Sequence, residues 1–548
     1  MKETQDIPII QFIQKYPVPA IIFFGLATLL PGLGIFPVSI MEARNFIVAR
    51  EMLFDSNWIF TTMNGEIRYE KPPFPSWTLA VTGLLFGGVD TVVFRIPAIA
   101  MAIIVLINFY LFSQKIKKDL LFPVLSTLVL ASSFYFIAIV KEAPSDIFAH
   151  GAMLISVFFL FKSLSSNQMF DIQFLLAGVF GGISILSKGP VSIFALFLPF
   201  ILAYFLTFGK KSFSYQWLKI LLLLLLMLIV GGWWYAATAL FDPDNFNVVA
   251  SQETGNWVSY NIRPFYYYWN FFLQSGIWAI PAVLGLIFPL IKKAKLEQAD
   301  LFPILWILFT VLLLSFIPEK KPRYLFPVLF PMAWATSSYL LRLFKENKNL
   351  HTLEWIILRF NFGIIALASF LIPVVGWVLY SSHIYSMLWS YLIFSTFLIA
   401  IGISIIYSLL KKDFLYPVIL TMLFQASIII YSPVAFQVTK TNPNYSELSG
   451  FDHEKYKKPL RFSYIQPEFV WNYGDKIQPI SSEIKIQNNK EEISVLVHSS
   501  HQDSMIKELS GLFNISIEDE FDLNISSKPG EKGYRTRKTL CHYLLSPK

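Results

Sequence analysis

The chain has 548 residues, 55% of them hydrophobic and 15% charged, and its mean hydropathy is +0.55. Soluble domains carry about 25% charged residues, so this composition excludes a soluble globular protein and describes an integral membrane one. The formal charge of +8 is modest for the length, no basic and aromatic run offers a nucleic-acid platform, and a single cysteine, Cys541, excludes an intramolecular disulfide.

In chain order, apolar runs of about 20 residues fall near 18–38, 91–113, 119–140, 146–162, 172–187, 190–207, 217–239, 269–291, 300–317, 324–343, 358–380, 386–409 and 413–432. They predict an all-α polytopic bundle of about 13 transmembrane helices. The first run begins near Pro17 and has no small-residue cleavage site after it, so it is expected as an uncleaved helix. Lys188-Gly189-Pro190 divides 172–207 into two helices. Basic clusters follow the second run (Lys115, Lys117, Lys118), the sixth (Lys210, Lys211) and the eighth (Lys292, Lys293, Lys295). Others follow the tenth (Arg342, Lys345, Lys348) and the twelfth (Lys411, Lys412). With this count every cluster lies on one side, so the positive-inside rule puts the N-terminus in the cytoplasm and everything after about Tyr431 outside.

Four polar segments are then external: the first loop 39–90, the hinge 141–146, the loop 240–268 and Pro318–Arg323. The last reads "PEKKPRY" and places Lys320, Lys321 and Arg323 where positive charge is disfavoured. Either the helix count is off by one, or these cations face an anion held at the outer leaflet. In the first loop, "SIMEARNFIVAREML" reads as an amphipathic helix lying in the interface. Phe46, Ile47, Met52 and Leu53 belong to its apolar stripe, and Arg50 and Glu51 to its polar positions. One ionisable group at a membrane boundary merely anchors a helix end. Here Glu42, Glu70, Asp146, Lys188, Arg263 and Lys321 all map to one face, and such convergence of carboxylates and cations marks a site. "NGEIRYEKPPFPSW" adds a run of charges on a backbone that Pro72 and Pro73 stiffen.

From about Ser432 the chain turns polar. "RFSYI", "EISVLVH" and "KTLCHYLLS" read as strands and "HQDSMIKELSGLF" as a helix. A small external α/β domain over 433–548 is expected, with the membrane domain over 1–432.

"MEARNFIVAREML" followed by "WIFTTMNGEIRYEKPPFPSW" resembles the first outer loop of polyprenyl-phosphate-dependent sugar transferases of the GT-C fold. The likeness is to bacterial transferases that add aminoarabinose to lipid A and to protein O-mannosyltransferases. "FRIPA" at Arg95, "SDIF" at Asp146, "LSKGPV" at Lys188, "RPFYYYW" from Arg263 and "KKPRYLFP" from Lys320 follow in the family's order, so the resemblance covers about residues 10–345. It implies interfacial helices in the first loop that roof a cavity, a polyprenyl-phosphate-linked sugar donor, and a lipid or protein acceptor outside a bacterial inner membrane. It also implies a carboxylate base and cations around the leaving phosphate. The base falls on Glu42 or Asp146, because the position of the family's first acid is Met41 here. Lys71, Arg263, Lys320 and Arg323 are the candidate phosphate contacts, with Arg44, Tyr69, Glu70 and Lys188 at the substrate. No cofactor is required by the sequence. A divalent cation, which some relatives hold with the Glu of "EKP" and a histidine, lacks that histidine here: Asn261 or Ile262 stands near its place, and Glu70 has no such partner. A monomer is expected, with an externally placed C-terminal domain. The alternative is a flippase or a non-catalytic binder of lipid-linked sugars, which the missing acid at Met41 keeps open.

Overall fold

A computed structural model of the chain describes residues 8–142, 144–166, 168–209, 213–291, 297–346, 350–480 and 492–548. Lys210, Lys211, Lys292, Lys293, Lys295 and Lys348 of the basic clusters lie outside them. Among the described residues, eight helices are long and apolar enough to cross a membrane, or nine if the bent pair Phe122–Ala131 and Phe134–Glu142 is one span. Every expected span contains helix, but the first, expected over 18–38, ends at Leu29, and not every one is membrane-length alone. The helices Pro17–Leu29, Ile172–Lys188 and Ile193–Phe208 are shorter, and Leu329–Glu346 follows a 3-10 turn, Pro322–Val328, and ends in charge.

The run expected as one straight span over 119–140 is bent by 54°. Its break falls at Ser132-Ser133, whose hydroxyls donate back to the carbonyls of Leu128 (2.6 Å) and Val129 (2.9 Å). Such bonding one turn back competes with the helical ladder and bends it. Trp278 Nε1 then donates to Ser132 Oγ at 2.9 Å.

By contact the chain forms two units: 1–33, 69–75 and 95–433, and 34–68, 76–94 and 434–548. In the first, helices pack around a core of large aromatics that includes Trp278, Trp306 and Trp334, all fully buried. Its indoles find partners where the core offers hydroxyls, as with Trp334 Nε1 to Ser113 Oγ at 2.7 Å. The helix Ile172–Lys188 meets Phe213–Phe241 through glycine. A Cβ on Gly182 would come within 2.4 Å of Val230, and one on Gly231 within 2.6 Å of the Gly182 carbonyl. Small residues at this face let two backbones approach in a medium where apolar contact alone gives no preference for protein over lipid.

In the second unit the first-loop helix α1 (Ile40–Asp55) and the hairpin β1 (Thr62–Met63) and β2 (Glu66–Ile67) pack with the C-terminal segment. That segment carries a four-stranded sheet of β3 (Leu460–Arg461), β4 (Ile493–His498), β5 (Phe513–Asp522) and β6 (Thr539–Pro547), in the order β3-β4-β6-β5. β3 is parallel to β4, and the β4–β6 and β6–β5 pairs are antiparallel. The sequence expectations match β4, β6 and the helix α3 (Gln502–Leu509). The strand expected at "RFSYI", 461–465, survives only as Arg461 at the end of β3, and β5 was missed, its solvent-facing acids weakening its alternation. The short helix α2 (Pro467–Tyr473) packs on α1.

That packing corrects the expected polarity of α1. Arg50 and Glu51 are buried, at 3% and 2% exposure, instead of lying on a wet face. The Arg50 guanidinium donates to the carbonyls of Val470 (3.3 Å) and Asp475 (3.2 Å). Glu51 accepts from Thr62 Oγ1 and the Asn64 amide, both at 2.6 Å, and so holds the hairpin turn. A buried charge needs such partners, and those of Arg50 come from residues more than 400 positions away in the chain.

Candidate active site

In the first unit the segment 69–75 is pinned at three points. Tyr69 donates its hydroxyl to Asp242 Oδ2 at 2.7 Å and sets its ring edge-on to Trp234 at 5.9 Å. Lys71 Nζ meets Glu253 Oε2 at 3.3 Å, and Phe74 meets Phe148 edge-on at 6.0 Å. Asp242 and Glu253 belong to the expected external loop 240–268, most of which is the helix Pro243–Ser259. Burial and the Asp242 carboxylate push the Tyr69 phenol up, and its hydrogen bond holds Asp242 below the usual carboxylate range. Pro72 and Pro73 are buried and Glu70 is exposed.

Asp146 stands in the first turn of the helix Pro144–Leu164 with no exposed surface. Its Oδ1 pairs with Lys188 Nζ and lies 3.7 Å from His150 Nε2, one turn on. His150 Nδ1 in turn shares a hydrogen bond with Ser192 Oγ at 3.0 Å. Lys188 ends its helix because Gly189 takes φ +71° and ψ −155°, a conformation open to glycine. The break at Lys188-Gly189-Pro190 is thus where the sequence puts it, and its lysine is tied to Asp146 across 42 residues. His150 and Ser192 were not found from sequence. The Asp-x-x-x-His spacing on a helix, which puts both side chains on one face, was the available signal.

Two distant polar segments meet beside this pair. Asn261, at φ +52°, turns the chain so that Ile262 bridges Glu319 in antiparallel register. The Arg263 amide donates to the Pro318 carbonyl (3.3 Å) and the Lys320 amide to that of Asn261 (3.1 Å). Tyr268 locks the same turn: its hydroxyl accepts from the Lys321 amide at 3.0 Å and donates to the Lys321 carbonyl. Lys321 pairs with Glu319 and lies 5.1 Å from the Tyr260 ring centre. Lys320 is buried, turns its ammonium to the Ile317 carbonyl, and is pushed down by desolvation. Arg263 is exposed and Arg323 half-buried. Arg323 acts electrostatically on both Asp146 and Lys188, Lys71 acts on Lys188, and Lys188 Nζ lies 5.8 Å from the Tyr324 ring centre. The structure therefore brings Lys71, Asp146, Lys188 and Arg323 into one electrostatic cluster, with Lys321 and Tyr324 at its side.

Glu42 and Arg44 belong to the second unit. Glu42 is the third residue of α1 and forms a capping box: its Oε2 accepts from the Ser39 amide (2.9 Å), and Ser39 Oγ accepts from the Glu42 amide (3.2 Å). The sequence carries the Ser-x-x-Glu signature of this cap, and the reading of the helix as amphipathic passed over it. Arg44 is half-buried, and its carbonyl accepts from Arg68 Nη1 at 3.3 Å.

Ile262 offers no ligand, Asn261 is committed to the turn, and among the described residues no three His, Cys, Asp or Glu side chains converge.

These features define the class, a multi-pass membrane protein of the GT-C architecture. The chain superposes on the crystal structure of ArnT from Cupriavidus metallidurans bound to undecaprenyl phosphate with a TM-score of 0.66. The identity is 14%, over 96% of this chain and 97% of that one. The model of the family described as dolichyl-phosphate-mannose-protein mannosyltransferase matches residues 70–235, which include Lys71, Asp146 and Lys188. A protein of Aquifex aeolicus is 25% identical over 271 residues, 49% of this chain and 52% of that one. The undecaprenyl phosphate-α-4-amino-4-deoxy-L-arabinose arabinosyl transferase of Wigglesworthia glossinidia brevipalpis is 28% identical over 169 residues, 30% of each chain. The chain thus spans about half, or less, of the length of these relatives. The resemblance read from the sequence holds in fold and in family likeness.

Proposed function

We propose that the protein is a glycosyltransferase that moves a sugar from a polyprenyl phosphate to a hydroxyl of an external lipid or protein. The observation that carries this reading is the buried Asp146–Lys188 pair at a helix break, with Lys188 5.8 Å from the Tyr324 ring next to Arg323, on the fold of a protein crystallised with undecaprenyl phosphate. In the reaction the acceptor oxygen forms a bond to the sugar's anomeric carbon as that carbon's bond to the phosphate oxygen breaks. Negative charge builds on the departing phosphate, and fixed cations stabilise it most where water is scarce. In this reading Lys71 and Arg323 take that role, with Arg263 and Lys321 at the margin. Lys188 contributes its field from a fixed position, because Asp146 holds its ammonium. Asp146 is in this reading a positioning residue, because its carboxylate is taken up by Lys188. Lys320 shapes its loop through its hydrogen bond to the Ile317 carbonyl. Glu42 is the base that takes the acceptor's proton. The protein acts in a bacterial inner membrane, with the C-terminal domain on the outer side.

The test is transfer of label from radiolabelled polyprenyl-phosphate sugars to an envelope extract by the full chain in nanodiscs. Glu42→Gln keeps a capping acceptor at the third helical position but cannot take a proton, and is expected to bind donor without transferring. Ser39→Ala removes the cap, leaves the carboxylate, and is expected to transfer. Full transfer by Glu42→Gln overturns the assignment of the base. Donor binding without transfer by the wild type, whatever the sugar and acceptor fraction, overturns the transferase and leaves a binder or flippase.

A further inference from the structure

The loop 526–538 of the second unit has no part in the site above, yet it gathers charge of one sign. It carries Lys528, Lys532, Arg535, Arg537 and Lys538 against one acid, Glu531. Arg537 is held by Glu468 at 3.0 Å. Lys528, Lys532 and Arg535 are exposed and have no ion-pair partner among the described residues. Glu531, whose Oε2 accepts from the Lys528 backbone amide (2.8 Å), offsets only one of these charges.

A basic loop alone is ordinarily a solvated surface. One end of this loop, however, is bonded to the residues that follow a membrane-length helix, and its other end is bonded back to the first. Leu415–Val438 is a membrane-length apolar helix, and Thr439 is the next residue. Ser526 Oγ donates to the Thr439 carbonyl at 2.9 Å, Thr441 Oγ1 to the Ser526 carbonyl at 3.0 Å, and the Asn442 amide to the Ile525 carbonyl at 3.0 Å. At the far end the Arg535 amide donates to Asn524 Oδ1 (3.0 Å) and its carbonyl accepts from Asn524 Nδ2 (3.1 Å). Asn524 adjoins Ile525, so the loop closes on itself within a few residues of the helix end. Lys440 adds an exposed cation at the exit.

We propose that Lys528, Lys532 and Arg535, with Lys440, form a docking surface for anionic lipid headgroups in the leaflet from which the C-terminal domain emerges. The partner chemistry is a phosphate-bearing lipid surface. A cation near the surface of a charged bilayer adds about 1 kcal/mol of attraction, roughly a fivefold gain. The inference is independent of the transfer reaction and of its base.

The experiment is amide hydrogen exchange of the full chain in nanodiscs of phosphatidylcholine alone or with 30% phosphatidylglycerol added. Exchange in 526–538 is expected to slow at least about fivefold, the factor for one cation, in the anionic discs. The effect should fade in high salt and disappear in Lys528→Gln/Lys532→Gln/Arg535→Gln. Unchanged exchange of β6 in that variant shows that the domain is folded. Equal exchange in both discs overturns the proposal. So does equal slowing by inorganic phosphate in neutral discs, which would make the loop a site for a soluble anion.

Discussion

Replacing Lys188 by methionine keeps the stem of the side chain and removes its charge from a site where Asp146 is fully buried. The Asp146 carboxylate then loses its ion-pair partner, while its Oδ2 already has no hydrogen-bond partner among the described residues. Opposite charges about 4 Å apart at an effective dielectric of 20 attract by about 4 kcal/mol. Breaking a buried pair by removing one partner typically costs about 3–5 kcal/mol. Lys188→Met is therefore expected to destabilise the first unit by about 3–5 kcal/mol. Asp146→Asn combined with Lys188→Met removes both charges and should recover most of that loss, because replacing a whole buried pair is close to neutral. The assay is equilibrium unfolding in mixed detergent micelles followed by tryptophan fluorescence, with the exposed Lys118→Met as the control. A single variant no weaker than that control, or a double variant as weak as the sum of its parts, would refute the buried pair as the lock on this helix break. Donor transfer should not return in the double variant, since the cation at the break is still missing.

Lys71→Gln should barely change stability, because its pair with Glu253 is about a third exposed on each side and such pairs contribute about 0–1 kcal/mol. It should weaken donor binding on the order of tenfold or more, as expected for one charged hydrogen bond of about 1.5–3 kcal/mol, measured by displacement of labelled polyprenyl phosphate. Gly189→Ala should cost about 1–3 kcal/mol in the same unfolding assay. Tyr235→Phe should rescue only part, since it relieves the 2.9 Å contact of the new Cβ with the Tyr235 hydroxyl and leaves the strained backbone. Glu51→Gln should destabilise the second unit by about 2–4 kcal/mol, as an amide NH₂ would face hairpin donors now bonded to a carboxylate, read as faster proteolysis within 56–68.

The C-terminal unit should also weaken in mild acid. Burial holds His542 and His498 below their ordinary value, and Asp519, Glu518 and Lys455 are the charged groups acting on His542. The unfolded chain binds these protons near pH 6.5 and the folded one only at lower pH. Stability is therefore complete above about pH 6.5 and falls as the pH drops toward the depressed folded values. Thermal unfolding between pH 8 and pH 5 measures it, and His542→Gln should flatten the slope.

Apolar run length and proline- or glycine-marked breaks by themselves determined that this protein is a polytopic bundle, where most of its apolar helices lie, and that 188–190 ends one of them. Those features act over a few residues or one membrane thickness, and bilayer physics reads them locally. The polar segments that carry Lys71, Asp146, Lys188, Arg263 and Arg323 were legible for the same reason, since charge beside so much apolar chain stands out. What each charge does was not. Only tertiary structure decided that Asp146 is spent on Lys188, that Lys320 turns inward, and that Asn261–Arg263 bridges Pro318–Lys320. Arg50 and Glu51 make the point most directly. On a helical wheel they are a wet face, and they are buried because Val470 and Asp475, more than 400 residues on, supply the carbonyls that Arg50 needs. A local pattern can show that a charge must be satisfied; its partner is chosen by contacts that form only when distant parts of the chain meet.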